Sequence, residues 1–199
     1  MDIVLASNNR GKLREIVGLF EKYNILLPSD LGIEYSYEEV GNTLLENAFG
    51  KATHLYRLLL EAGVEKAVLA DDSGLFVEAL GGEPGVRSAR YGATDGKKLS
   101  DRERNEYLLE RLKGKSNRKA YFLCCMVLVR GEDRFIIVQE KFEGKIIDSP
   151  RGSGGFGYDP LFYVPELNKT VAELPEEEKN KISHRARAAK VILRALNAP

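Results

Sequence analysis

Four short stretches carry residue types that do chemistry. Asp71-Asp72-Ser73-Gly74 sets two carboxylates side by side after the apolar run Ala67 to Ala70. In α/β sheets ligands collect beyond the carboxyl ends of buried strands. Alternation along an extended segment turns one of the two carboxylates toward the structure and the other toward a cleft. Such hard oxygen ligands suit Mg²⁺, which keeps several waters and takes one or two protein carboxylates; Glu38-Glu39 is a second source. The same residues would also serve as plain turn chemistry or a solvated face. Ser7-Asn8-Asn9-Arg10-Gly11-Lys12 lies where a strand gives way to a helix, a place where open N–H groups and the helix dipole favour an anion. Ala6 and Leu13 stand where a P-loop needs Gly and Ser or Thr, so Walker geometry is not supported. A plain N-cap by Asn8 or Asn9 is the competing reading.

The third stretch, Lys179 to Arg185, places cations and His184 at the start of the last helix, with Ser183 as the expected N-cap. Cations there oppose the helix dipole, and such local conflicts tend to mark functional sites. The alternative is an exposed basic turn balancing Glu176-Glu177-Glu178. The fourth, Arg151 to Pro160, packs Gly152, Gly154, Gly155 and Gly157 around Phe156, Tyr158 and Asp159. Clustered glycine points to positive φ or a close backbone approach. Phe156 and Tyr158 would stack on a flat ligand while Asp159 accepts from its edge; a mobile linker is the alternative. Gly152, Gly154 and Gly157 match G-x-G-x-x-G, yet the run leads into a strand instead of opening a helix, so it is not a dinucleotide fingerprint.

The elements that must position these residues are legible as periodicity. Ile3 to Ala6 reads as a buried strand, and Leu13, Ile16, Val17 and Phe20 follow at helical spacing. Thr43-x-x-Glu46 and Ser100-x-x-Glu103 are capping boxes that open two further helices, expected to end near Gly63 and Gly114. Ala67 to Ala70 reads as a strand stopped by the aspartate pair. Tyr121–Arg130 and Arg134–Gly144 read as a hairpin around Gly131-Glu132-Asp133, which makes the sheet mixed. A short strand at Leu161–Val164, a helix start at Pro175 and a final helix from about Ser183 to Leu196 complete the order. The expected lobe boundary lies near 114–120.

At 199 residues with 43% hydrophobic side chains, the chain suits one large domain or two lobes. Lys+Arg and Asp+Glu balance at 30 each, so no basic field marks a nucleic-acid binder. Cys124 and Cys125 are adjacent and far in sequence from His54 and His184, which makes no zinc pattern and predicts buried, reduced thiols. The N-terminus turns polar too soon for a signal peptide and no apolar run reaches membrane length, so the expectation is a soluble, cytoplasmic protein without membrane partners.

Taken in order, Ser7-x-Asn9-x-x-Lys12, Glu46-Asn47-Ala48 with Lys51-Ala52, Asp71-Asp72-Ser73-Gly74-Leu75 and Pro84-Gly85 before Ser88-Ala89-Arg90-Tyr91 form the first half of a pattern. Pro150-Arg151-Gly152, Gly155 to Pro160, Thr170 before Ala172-Glu173-Leu174, and Glu178-Lys179-Asn180 with Ile182 to Arg185 form the second. The chain resembles the Ham1/RdgB-like inosine triphosphate pyrophosphatases, the non-canonical purine NTP pyrophosphatases, from residue 7 to about 185. The resemblance implies a single α/β domain over residues 1–199: an elongated mixed β-sheet flanked by helices, in two lobes with an active-site cleft between them. It implies Mg²⁺-dependent hydrolysis of ITP, dITP and XTP to the monophosphate and pyrophosphate, usually by a homodimer.

By motif position the resemblance makes Asp72 the general base and a metal ligand, Glu39 the second metal ligand and Ser73 a substrate contact. Ser7, Asn8, Asn9, Arg10, Gly11 and Lys12 become the phosphate-binding segment. Phe156, Gly157, Tyr158, Asp159, Lys179, His184 and Arg185 make up the rest of the substrate site, with Lys51 and Arg90 at positions where relatives vary more. His184 and Arg185 are the donors expected to face a purine 6-oxo group. Tyr91-Gly92-Ala93 departs from the aromatic-Ala-Gly order of many relatives, which bears on a loop and not on the chemistry. The alternative function is a purine-nucleotide sensor without turnover, against which the presence of Asp72, Glu39 and Lys12 argues.

Overall fold

The N-terminal apolar run forms β1 (Asp2–Leu5), whose last three residues are buried. In the computed structural model, which describes residues 1–7, 9–94 and 98–197, β1 is followed by α1 (Arg10–Leu19), with Ile16 buried. A short β2 (Asn24–Leu26) pairs parallel to β1. The capping box of Thr43 and Glu46 opens α2 (Leu44–Glu61), and Asn47, Ala48, Lys51, Ala52, Leu55 and Leu59 form its buried face. Such a cap is worth about 0.5–2 kcal/mol. The second expected box, Ser100 with Glu103, opens α3 (Asp101–Arg111).

The next strand, β3, runs from Ala67 to Val77 and pairs parallel to β1. It does not stop at Asp71 as its turn-like composition predicts. Leu75 and Val77 are fully buried and continue the apolar content beyond the carboxylates, and Leu75 N–H donates to Ser88 Oγ at 2.8 Å. A Cβ on Gly74 would lie 2.3 Å from Gly85 O, so glycine sits here for a close backbone approach inside a strand and not for a turn. The long strands β4 (Lys119–Gly131) and β5 (Arg134–Ile146) are joined by Glu132 and Asp133. β6 (Phe162–Val164) adds antiparallel to β5, and β7 (Lys169–Thr170) antiparallel to β6. The seven strands follow the order β2-β1-β3-β4-β5-β6-β7, a mixed sheet as expected.

The helix start expected at Pro175 and the final helix expected from about Ser183 are both present. Glu176–Ile182 forms α4 and His184–Leu196 forms α5, with extended Ser183 (φ −62°, ψ 159°) between them. Lys179 therefore lies inside α4 and Arg185 inside α5.

Two compact units divide the chain: Met1–Asp72 with Cys124–Glu140 and Arg185–Pro199, and Ser73–Leu123 with Lys141–His184. The expected boundary at 114–120 falls within the second unit; the chain changes units inside β3, β4 and β5 and at the start of α5. The first unit's core joins Ile3, Leu5, Ile16, Phe20, Leu69, Met126 and Ile192, among others. Cys124 and Cys125 are buried on β4, as expected. The second unit's core is built on Leu75, Val77, Leu108, Leu112, Phe122, Phe142 and Phe162.

Candidate active site

In the first unit the N-terminal loop is organised by Asn9. Its Oδ1 accepts from Gly11 N–H at 2.9 Å and Lys12 N–H at 3.1 Å, capping α1. Ser7 Oγ accepts from Asn9 N–H at 3.2 Å. The N-cap reading thus holds for Asn9, and its carboxamide occupies two N–H groups that the anion reading needed. Asn8 lies outside the described residues. Arg10 is exposed, and Lys12 points its ammonium to Asp71, 3.3 Å from both the backbone oxygen and Oδ2.

The paired aspartates of β3 have separate surroundings. The Asp71 side chain has no exposed surface, and its Oδ2 accepts from Arg185 Nε at 3.2 Å and Nη2 at 3.1 Å. The same guanidinium donates through Nη1 to Glu15 on α1. Burial opposes the charge on Arg185, but Asp71 and Glu15 outweigh it and its pKa is raised. Asp72 instead faces α2: its Oδ2 accepts from Asn47 Nδ2 at 3.0 Å, and its Oδ1 lies 3.7 Å from Lys51 Nζ. Lys51 Nζ also donates to Glu39 Oε1 at 2.7 Å and to Asp71 O at 2.8 Å. Two carboxylates on separate segments therefore converge on one cation.

Burial drives the Asp72 pKa up, against the pull of Lys51 and Lys12 and with a further push from Glu39. Lys51 is also raised: burial opposes its charge, but Asp72, Glu39 and Asp71 prevail. Among the described residues no three His, Cys, Asp or Glu side chains gather as a ready metal cage. The donor set at Asp72 and Glu39 nonetheless fits Mg²⁺, which takes few protein carboxylates and keeps waters.

The second unit holds the aromatic set and Lys179. Asp159 Oδ2 accepts from Lys179 Nζ at 2.7 Å and from Phe156 N–H at 3.0 Å, and Lys179 Nζ lies 4.9 Å from the centre of the half-buried Phe156 ring. Tyr158, expected to stack on a flat ligand, is instead a core residue whose hydroxyl donates to Ser88 O at 2.8 Å. Asp159 is likewise turned inward and only 5% exposed. His184 is buried with its ring stacked on Phe122, centroids 4.9 Å apart. Ser73 is half-buried on β3, and Arg90 is exposed at the end of the short 3₁₀ turn Gly85–Arg90.

The glycines of the run serve these internal contacts. A Cβ on Gly155 (φ +71°) would fall 2.0 Å from Asp159 Oδ2, and one on Gly152 would lie 2.5 Å from the Ala172 backbone. Arg185, expected to donate to a base, donates instead to Asp71 and Glu15. Sequence reasoning gave no role to Glu15 or Asn47. Asn47 had a signal: it shares one helical face with Lys51 and Leu55 at i, i+4 spacing, a polar residue on an apolar stripe.

The Ham1 family model matches residues 3–195 of this chain. A dITP/XTP pyrophosphatase of Treponema denticola is 50% identical over 188 residues, covering 94% of each chain. Among solved structures, a HAM1 protein from Coxiella burnetii superposes with a TM-score of 0.86 at 40% identity, covering 98% of both chains. The Staphylococcus aureus Ham1 protein does so with a TM-score of 0.82 at 40% identity, covering 98% of this chain and 97% of its own.

Proposed function

This chain belongs to the Ham1 family, and from that premise we propose that it hydrolyses ITP, dITP and XTP to the nucleoside monophosphate and pyrophosphate, clearing non-canonical purines from the nucleotide pool. The observation that carries the reading is the convergence of Glu39 and Asp72 on the Lys51 ammonium, at 2.7 and 3.7 Å. Carboxylates gathered around one cation, with a second lysine on the neighbouring Asp71, suit a reaction in which charge builds on expelled phosphates.

Asp72 and Glu39 would hold Mg²⁺, which when bound neutralises phosphate charge as a Lewis acid. Asp72 also takes the proton of the attacking water; burial raises its pKa, moving its basicity toward the range where general-base catalysis is efficient. Lys12 and the exposed Arg10 attract the phosphate chain, and Lys51 compensates the carboxylates. Phe156 offers a ring face to the purine, ordered by Asp159 and Lys179, while Ser73, Arg90 and His184 are further substrate contacts. Magnesium dependence, a homodimer and a cytoplasmic location complete the reading and are carried by the family resemblance. No helix among the described residues is long and apolar enough to cross a membrane.

The test is incubation with ITP, XTP, dITP, ATP and GTP, with Mg²⁺ and with EDTA, resolving monophosphate, pyrophosphate and orthophosphate. The reading expects monophosphate and pyrophosphate from the first three in Mg²⁺ alone. Orthophosphate as the product, or tight binding without turnover, would replace it with a phosphatase or a sensor.

A further inference from the structure

Phe156 is held from one side by groups already described: its N–H donates to Asp159 and its ring faces Lys179. The residue after it is held from the other side by α3, which none of the motifs includes. Gly157 N–H donates to Asp101 Oδ2 at 2.6 Å, and Gly157 O accepts from Asn105 Nδ2 at 3.0 Å. Both backbone groups of one glycine are thus bound by side chains more than fifty positions earlier, one helical turn apart on one face of α3.

Three features show that this bracket is more than packing. Asn105 is 5% exposed, and its Oδ1 has no hydrogen-bond partner among the described residues. A leucine would fill a similar volume without burying an unsatisfied oxygen, so packing alone does not account for an amide here. The loop also borders a cavity of about 520 Å³ whose walls include Asp101, Asn105, Leu109, Pro150 and Phe156, so side-chain packing does not fix it on that side. Gly157 itself has φ +64° with no atom of the described residues within 4 Å of a built Cβ; glycine is needed for the backbone angle alone. At that angle the chain sends the Phe156 ring to Lys179 and the Tyr158 ring into the core.

We propose that Asp101 and Asn105 are positioning residues for the nucleobase end of the site, holding Gly157 by both backbone groups so that the Phe156 ring is presented to the purine in one orientation. The proposal rests on the reading of Phe156 as a nucleobase contact. Neither residue touches substrate; each acts through the Gly157 peptide.

The test uses the full-length Asn105→Leu variant, with Asp101→Ala and Asp101→Asn beside it. It reads thermal stability, amide exchange at Phe156 and Gly157, and KM and kcat for ITP. Asn105→Leu should keep or raise its melting temperature, speed exchange at Gly157 roughly tenfold, and raise KM for ITP about tenfold with kcat nearly unchanged. Asp101→Ala should follow it, and Asp101→Asn, which keeps an acceptor oxygen, should restore most of the loss. Unchanged exchange in Asn105→Leu overturns the bracket whatever the substrate. Faster exchange with a wild-type KM overturns its link to the base. Wild-type protein that does not turn over ITP overturns the nucleobase reading, and exchange then still decides whether α3 holds the loop.

Discussion

Removing Arg185 should cost stability before it costs specificity. Its guanidinium, 2% exposed, is shared by Asp71 with no exposed side-chain surface and Glu15 with 7%. Truncation to alanine strands two buried carboxylates, with Lys12 remaining 3.3 Å from one of them. Breaking a buried ion pair by deleting one partner costs about 3–5 kcal/mol. For a chain of this length each kcal/mol moves the melting temperature by about 2–4 °C, so Arg185→Ala should melt roughly 6–20 °C lower. Urea unfolding followed by circular dichroism gives the free energy directly. A cycle with Glu15→Gln isolates the Glu15–Arg185 coupling, expected within about 0.5–3 kcal/mol for groups in one network. Well below its melting point, Arg185→Ala should retain the preference for ITP over ATP. A loss under about 1 kcal/mol, too small for any broken buried pair, together with a collapsed ITP preference would refute this reasoning and return the guanidinium to the purine.

The remaining expectations concern the carboxylates and the glycine run. Asp71→Asn and Asp72→Asn should differ in their main effect: the first chiefly lowers the melting temperature by uncoupling Lys12 and Arg185, with a smaller kinetic change through the Asp72 pKa, while the second leaves the fold intact and lowers kcat by about 10²–10⁴-fold at similar KM; matched kinetic losses would contradict the division. Gly155→Ala adds a Cβ 2.0 Å from Asp159 Oδ2 at φ +71°, so it should displace the carboxylate from Lys179 and raise KM for ITP. Gly157→Ala should cost only backbone strain of about 1–2 kcal/mol, readable as a smaller melting shift. Lys51 has a folded pKa above the ordinary lysine value because Asp72, Glu39 and Asp71 outweigh its burial, so its stabilising contribution is complete below that ordinary value and is lost as pH rises through the folded one. Urea midpoints between about pH 9 and 12 should therefore fall more steeply in the wild type than in Lys51→Met.

Local signals were legible where the physics is local. The capping boxes at Thr43 and Ser100 name their helices because both partners lie three residues apart. The Asp71-Asp72-Ser73-Gly74 stretch misleads for the opposite reason. Its composition is that of a turn, and what keeps it extended is supplied from afar: Lys12, Asn47, Lys51 and Arg185 answer the charges, and the Gly85 backbone demands the missing Cβ of Gly74. Glu15 is separated from Arg185 by 170 positions, and no spacing rule joins them. The stacking role of Tyr158 failed because positive φ at Gly152, Gly155 and Gly157 breaks any simple alternation through the run.

The alternation argument for β3 nevertheless reached the right division of labour without knowing the partners. Successive residues of a strand point to opposite faces, so adjacent aspartates cannot share one environment. Asp71 goes to the face of α1 and α5, where Lys12 and Arg185 fix it, and Asp72 goes to the face of α2, where Asn47 and Lys51 meet it. Cations on both faces answer the mutual repulsion of the pair, which would otherwise resist burying two charges side by side. Each carboxylate therefore depends on the other's neighbours: Lys51 donates to the backbone oxygen of Asp71 while compensating Asp72, and Lys12 on Asp71 pulls down the Asp72 pKa that burial raises. A strand that holds its reactive acid this way cannot lose the structural one without moving the pKa of its neighbour.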